Sequence, residues 1–156
     1  MSTFAEEVRE IAARYPDSRS AVLPALRIAQ ERHDGWLPPE AFVEVADALE
    51  LTPAYCQAVA SFYDMYQLAP TGKHLVEVCT NLSCALAKAQ DVVEAFEAEL
   101  GVRAGDTTED GEITFRVVEC LGGCGYAPVV AVDHRYRHPV RPEDVPAIVE
   151  ELRASA

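Results

Sequence analysis

The sequence predicts an α/β protein, with a small helical bundle over residues 1–70 followed by a sheet-and-helix domain over residues 71–156. Three observations predict it. Apolar residues recur at helical spacing through the first part, and the period changes after Pro70-Thr71-Gly72. The elements beyond that point read β-α-β-β-α, the pattern of helices packed on a small sheet.

The first helix opens at Thr3, with Glu6 three residues on as a capping box, and carries Phe4, Val8, Ile11, Ala12 and Tyr15 up to Pro16. A second starts near Ser20, tolerates Pro24 in its first turn, buries Val22, Leu23, Leu26 and Ala29, and stops at His33-Asp34-Gly35. A third follows Pro38-Pro39 with Phe42, Val45, Ala46 and Leu49 on one face. Thr52-Pro53 is an N-cap and first-turn pair for a fourth, running through Tyr55, Cys56 and Val59. Short helices with short loops make a bundle.

His74–Val78 reads as a strand, and a long helix follows Cys84, with Leu86, Ala89, Val92, Val93, Phe96 and Leu100 toward a core. Its Glu94, Glu97 and Glu99 form the wet face. Residues 101–111 hold turn residues, and Ile113, Phe115 and Val117 then alternate with Thr114, Arg116 and Val118 as a half-buried strand. Further strands are expected at 129–132 and 135–138, and Pro142-Glu143-Asp144 starts a final helix.

The chain has 156 residues, 49% of them apolar and 25% charged, which is ordinary globular composition. Its 13 Lys and Arg against 26 Asp and Glu leave a formal charge of −13. Such an acid excess argues against a nucleic-acid binder, because phosphate contacts need cations, and against docking on an anionic membrane. No apolar run approaches the roughly 18 residues of a spanning helix, so no direct membrane insertion is expected. The opening MSTFAEEVRE is acidic and amphipathic, unlike a signal peptide, and a cytoplasmic location is expected.

Cys56 stands alone among the five cysteines, and the other four form the pairs Cys79/Cys84 and Cys120/Cys124. An odd count in a reducing compartment does not suggest a disulfide framework. Each pair follows a predicted strand. Adjacent strands ending on one edge of a sheet would bring both loops together there, as a metal or iron–sulfur site. Structural zinc usually uses gaps of about two residues, whereas gaps of four and three residues suit two irons better than one tetrahedral ion. No histidine lies in either loop, which argues against a Rieske centre. Spacing favours [2Fe–2S] and leaves a zinc-stabilised binding module and a redox dithiol as alternatives. Gly122, Gly123 and Gly125 would let the main chain approach sulfur, and a helix beginning near Ser83 would point its positive end at the site.

The segments EVCTNLSCAL and TTEDGEITFRVVECLGGCGYAPVVAVD, with YPDSRSAVLPALRIAQERHDGWLP and VASFYDMYQLAPTGKH before them, resemble the thioredoxin-like [2Fe–2S] subunit of NADH:quinone oxidoreductase, respiratory complex I. Relatives occur as the gamma-type subunits of NAD-dependent formate dehydrogenases and of NAD-reducing hydrogenases. The resemblance spans nearly the whole chain. It implies a thioredoxin-like domain, one [2Fe–2S] cluster on Cys79, Cys84, Cys120 and Cys124, and docking beside a larger FMN- and NADH-binding flavoprotein subunit. In that setting the cluster exchanges single electrons with the flavin. Thioredoxin-like folds often carry a cis proline where Pro128 precedes a strand, but at a base rate of about 5–6% for any X–Pro bond a cis bond is not expected there.

Other residues have plainer readings. Cys56 reads as a buried structural thiol, Trp36 as packing between helices, and Arg135, Arg137 and Arg141 equally as a solvated edge or a contact for an acidic partner. The sequence reveals no Ser–His–Asp set, paired-carboxylate site or GxGxxG loop, so no catalytic site of its own is expected and nucleotide and flavin are assigned to a partner.

Overall fold

The computed structural model describes residues 3–155, so Met1, Ser2 and Ala156, at the outer ends of the two expected domains, lie outside the described residues. The chain divides between Pro70 and Thr71 into two compact units. In the first, the helices are α1 (Phe4–Ala12), α2 (Val22–Arg32), α3 (Pro39–Leu49) and α4 (Pro53–Phe62). Their starts follow local chemistry. The Thr3 hydroxyl accepts from Glu6 N–H while the Glu6 carboxylate accepts from Thr3 N–H. The Thr52 hydroxyl accepts from Tyr55 N–H, and proline occupies the first turn of both α3 and α4.

Val8, Leu26, Ala29, Phe42, Val45, Leu49 and Cys56 fill one core. The first two helices are shorter than the periodicity suggests. α1 stops at Ala12, leaving Tyr15 exposed, and residues 18–21 form a 3₁₀ turn before α2. Leu23 is half-buried, and Ala25 takes the core position instead.

The second unit contains β1 (His74–Cys79), α5 (Leu82–Leu86), α6 (Ala89–Leu100), β2 (Ile113–Val118), β3 (Val130–Val132), β4 (Arg135–Arg137) and α7 (Val145–Ala154). The strands make one sheet in the order β2-β1-β3-β4. β1 and β2 run parallel, with Cys79 opposite Val118, while β3 is antiparallel to β1 and to β4. Val76, Val78, Ile113, Phe115, Val130 and Val132 share a core with Val92, Phe96 and Leu100 of α6 and Val145, Val149 and Leu152 of α7. The Phe96 and Phe115 rings stack at 5.5 Å between centroids.

Three expectations are corrected here. The single long helix after Cys84 is two helices, because Lys88 adopts a left-handed conformation (φ 65°) between α5 and α6. Leu86 belongs to the short one and is 79% exposed, so it serves no core. Alternation along β2 also fails at both ends. Thr114 is buried, its hydroxyl accepting from Gly72 N–H at 2.6 Å and sharing a 2.7 Å bond with Thr107, while Val117 is exposed. Glu97 is half-buried, its carboxylate accepting from Ala104 N–H at 3.2 Å.

Candidate functional site

Parallel pairing of β1 and β2 means that both chains leave the sheet at the same edge. Cys79 is the last residue of β1, and Cys120 lies two residues past the end of β2. The two exits are tied together. Thr80 N–H donates to the Val118 carbonyl at 3.1 Å, and the Cys79 thiol contacts the Glu119 carbonyl at 3.8 Å. β3 begins beside them, and Cys79 N–H donates to the Val129 carbonyl at 3.1 Å.

Cys79 and Cys84 are buried with Ala89 and Val129, and Leu121 and Ala127 pack against that group. Cys84 sits on α5, whose first turn is capped by the Asn81 side chain accepting from Leu82 N–H at 2.7 Å. Cys120 and Cys124 are exposed free thiols. Burial pushes the Cys84 thiol up from its ordinary range. A hydrogen bond from the Val129 backbone opposes that shift, and the neighbouring sulfurs of Cys79 and Cys124 reinforce it.

The structure thus brings Cys84 within electrostatic reach of Cys79 and of Cys124. The contact shown for the Cys120 sulfur is local, with Gly122 N–H donating to it at 3.3 Å. Among the described residues, no group of three or more His, Cys, Asp or Glu side chains is arranged to hold a metal ion.

A donor set of four thiols from two loops at one sheet edge fits a thiolate-bound [2Fe–2S] cluster. Thiols gathered near one another are groups that bound cations stabilise as thiolates.

The glycines divide their work differently from the expectation. Gly122, at φ 76°, turns its N–H toward the Cys120 sulfur. A Cβ at Gly123 would meet Val129 Cγ2 at 2.9 Å rather than a sulfur, and one at Gly125 would meet nothing within 4 Å. The helix near Ser83 is the five-residue α5, with the twelve-residue α6 starting only after Lys88, so no long dipole begins at Ser83. The Ala127–Pro128 bond is cis.

Cys56 is fully buried in the core of the helical unit, a core separate from the one that holds Cys79 and Cys84. Trp36 is half-buried. Arg137 pairs with Glu151 at 2.5 Å and Arg141 lies 3.9 Å from Glu143, while all of β4 is exposed.

Sequence reading missed one arrangement. His74 bonds Asp133 at 2.7 Å through Nδ1 and Ser155 Oγ at 3.3 Å through Nε2, which makes a Ser–His–Asp chain. Residues 59 and 81 positions from His74 carry no local signal of it. The Ser155 hydroxyl has a nearer acceptor in the Leu152 carbonyl at 2.8 Å, and Asp133 also accepts from Leu75 N–H at 2.9 Å. The set ties the end of α7 to the start of β1, at the opposite end of that strand from Cys79.

Comparison with known proteins bears on the family of the chain. The family model described as thioredoxin-like [2Fe–2S] ferredoxin matches residues 8–153. The NADH-quinone oxidoreductase E subunit numbered 2 in Rhizobium meliloti (strain 1021) is 40% identical over 153 residues, covering 98% of this chain and 90% of the relative. The E subunit of the same kind of oxidoreductase in Mycobacterium tuberculosis (strain ATCC 25618 / H37Rv) is 43% identical over 148 residues, but there the chain spans only 58% of the relative. Among solved structures, an NAD+-reducing [NiFe]-hydrogenase shares the fold with a TM-score of 0.74 at 22% identity, over 86% of this chain and 23% of the other. With a match that runs through both units and both cysteine pairs, the chain belongs to the thioredoxin-like [2Fe–2S] ferredoxin family.

Proposed function

We propose that the chain is the electron-transfer subunit of an NADH:quinone oxidoreductase. On this reading Cys79, Cys84, Cys120 and Cys124 hold its one [2Fe–2S] cluster, which exchanges single electrons with the FMN of a larger NADH-binding partner subunit. The observation that carries the ligand assignment is the parallel β1–β2 pairing, which releases both cysteine loops at one edge.

When bound, the cluster supplies reversible one-electron chemistry. The chain's own part is to hold and tune. Backbone N–H groups of Val129 and Gly122 point at the sulfurs of Cys84 and Cys120 and favour added negative charge there. Burial of Cys79 and Cys84 shields one side of the site from water, and exposure of Cys120 and Cys124 leaves the other open to a partner surface.

The helical unit, residues 1–70, serves assembly on this reading. Among the described residues no helix is long and apolar enough to cross a membrane, which suits a place in the peripheral, cytoplasmic arm of the complex. Likeness to the hydrogenase extends to the fold, whereas the named sequence relatives favour the quinone-linked assembly. Family membership speaks against a zinc-stabilised module.

Full-length protein prepared anaerobically should contain iron and acid-labile sulfide in equal amounts and give an EPR signal after dithionite. Serine at any of the four positions should reduce cluster content or alter the signal. A colourless protein, or one holding zinc without sulfide, overturns the assignment. Mixed with its flavoprotein partner, the cluster should be reduced by NADH, and failure there removes the FMN step while sparing the cluster.

A further inference from the structure

The Cys120 sulfur accepts from Gly122 N–H at 3.3 Å, and the Leu121 carbonyl accepts from the Tyr136 hydroxyl. These are the two ends of one peptide unit. A trans peptide directs its carbonyl and its N–H to opposite sides of a rigid plane, so fixing the carbonyl fixes where the N–H points. The Leu121 side chain packs on the buried group around Cys79 and Cys84, but nothing packs on the Gly122 side of that plane. An added Cβ at Gly122 would meet nothing within 4 Å, so the loop is open on that side.

Tyr136 is well placed to act as the anchor. It lies in β4 directly opposite Ala131, which is 2% exposed, so its backbone is held by the sheet ladder. Just beyond the strand, the His138 ring lies against Tyr126 with 4.6 Å between centroids. The β4 segment therefore grips the Cys120–Cys124 loop at one residue inside it and one just after it.

We propose that Tyr136 is a positioning residue that raises the reduction potential of the cluster by orienting and polarising the Leu121–Gly122 peptide toward Cys120. This rests on the reading of Cys120 as a ligand. Donation to the Leu121 carbonyl draws electron density from the amide and makes Gly122 N–H a stronger donor. Reduction adds one electron, with no bond made or broken, and the extra negative charge spreads onto the sulfurs. A donor aimed at sulfur therefore stabilises the reduced form more than the oxidised one.

The test uses cluster-loaded full-length protein in three forms: wild type, Tyr136→Phe, and protein carrying 3-fluorotyrosine at position 136, whose more acidic hydroxyl is a stronger donor. Tyr136→Phe should keep its iron and sulfide yet lower the equilibrium constant for reduction by about threefold, about 30 mV at 59 mV per tenfold. The fluorinated form should move the midpoint potential the other way, and the coupling of exchangeable protons in pulsed EPR should follow the same order. A purely structural tyrosine would not give opposite shifts. Equal potentials in all three loaded forms overturn the proposal; if Tyr136→Phe fails to load, the absence of a rise in the fluorinated form overturns it alone. A Cys120→Ser protein with unaltered spectrum and potential would instead sink the ligand reading beneath it.

Discussion

Arg116 donates through Nε and Nη2 to a single oxygen of Glu77, at 2.9 and 2.5 Å, from the directly opposite position on the neighbouring parallel strand. The two side chains are not equally sheltered: Glu77 is 8% exposed and Arg116 22%. Removing the arginine takes this partner from the more deeply buried carboxylate, whereas removing the acid takes it from the more exposed guanidinium. Arg116→Met should therefore cost about 3 kcal/mol of unfolding free energy and Glu77→Gln about 1–2 kcal/mol, measured by urea denaturation. Equal losses would contradict the asymmetry.

Gly123 sits where a methyl group would press on a fully buried valine. With Val129 Cγ2 only 2.9 Å from the ideal Cβ and Val129 at 0% exposure, Gly123→Ala should destabilise by about 1–2 kcal/mol. It should also shorten the lifetime of the bound cluster, because Val129 packs with Cys79 and Cys84. Gly125→Ala, with nothing within 4 Å, should stay within about 0.5 kcal/mol of wild type and serves as the control.

Cys56 has no exposed surface, and burial pushes its thiol up from the ordinary range. Native protein should resist iodoacetamide at this position and react there only after unfolding, as peptide mass mapping would show. Cys56→Ala should leave iron and sulfide content unchanged while costing about 1 kcal/mol of stability. Loss of the cluster in that variant would mean the helical unit does more than the thiol's burial implies.

Asp110 closes the turn before β2. Its carboxylate accepts from the Thr108 hydroxyl and from Glu112 N–H, bonds that hold its pKa below the usual aspartate range, with the Thr108 contact the larger cause. A folded-state pKa below the unfolded one means a contribution that is complete above about pH 5 and fades as the pH falls through the lowered value. The stability difference between wild type and Asp110→Asn should accordingly be largest near neutrality and shrink toward pH 3. A difference that stays constant with pH would show that the carboxylate's charge is not what the turn uses.

Much of this architecture was legible because its signals are local. Thr3, Thr52 and Pro39 mark helix starts through bonds or backbone angles set within three residues, and the short β-branched runs of β1 and β3 need only their own side chains. The two loops could be expected at one edge because a strand precedes each cysteine pair. What escaped was set at a distance or against propensity. Lys88 breaks the helix with neither glycine nor proline to announce it. Thr114 is buried because Gly72 and Thr107 satisfy its hydroxyl, partners that no alternation pattern contains. Tyr136 reaches Leu121 across a turn of chain fifteen residues long, and His74 meets Ser155 only after the whole unit has folded.

The sheet's two borders also bear on solubility. At one border β2 is shielded by a backbone bridge between Thr107 and Thr114. At the other, β4 offers only three residues, and Arg135 and Arg137 flank its tyrosine. So short and cationic a margin is a poor template for another copy's strand. The protein can keep its sulfur-bearing rim uncovered without inviting fibrils along its side.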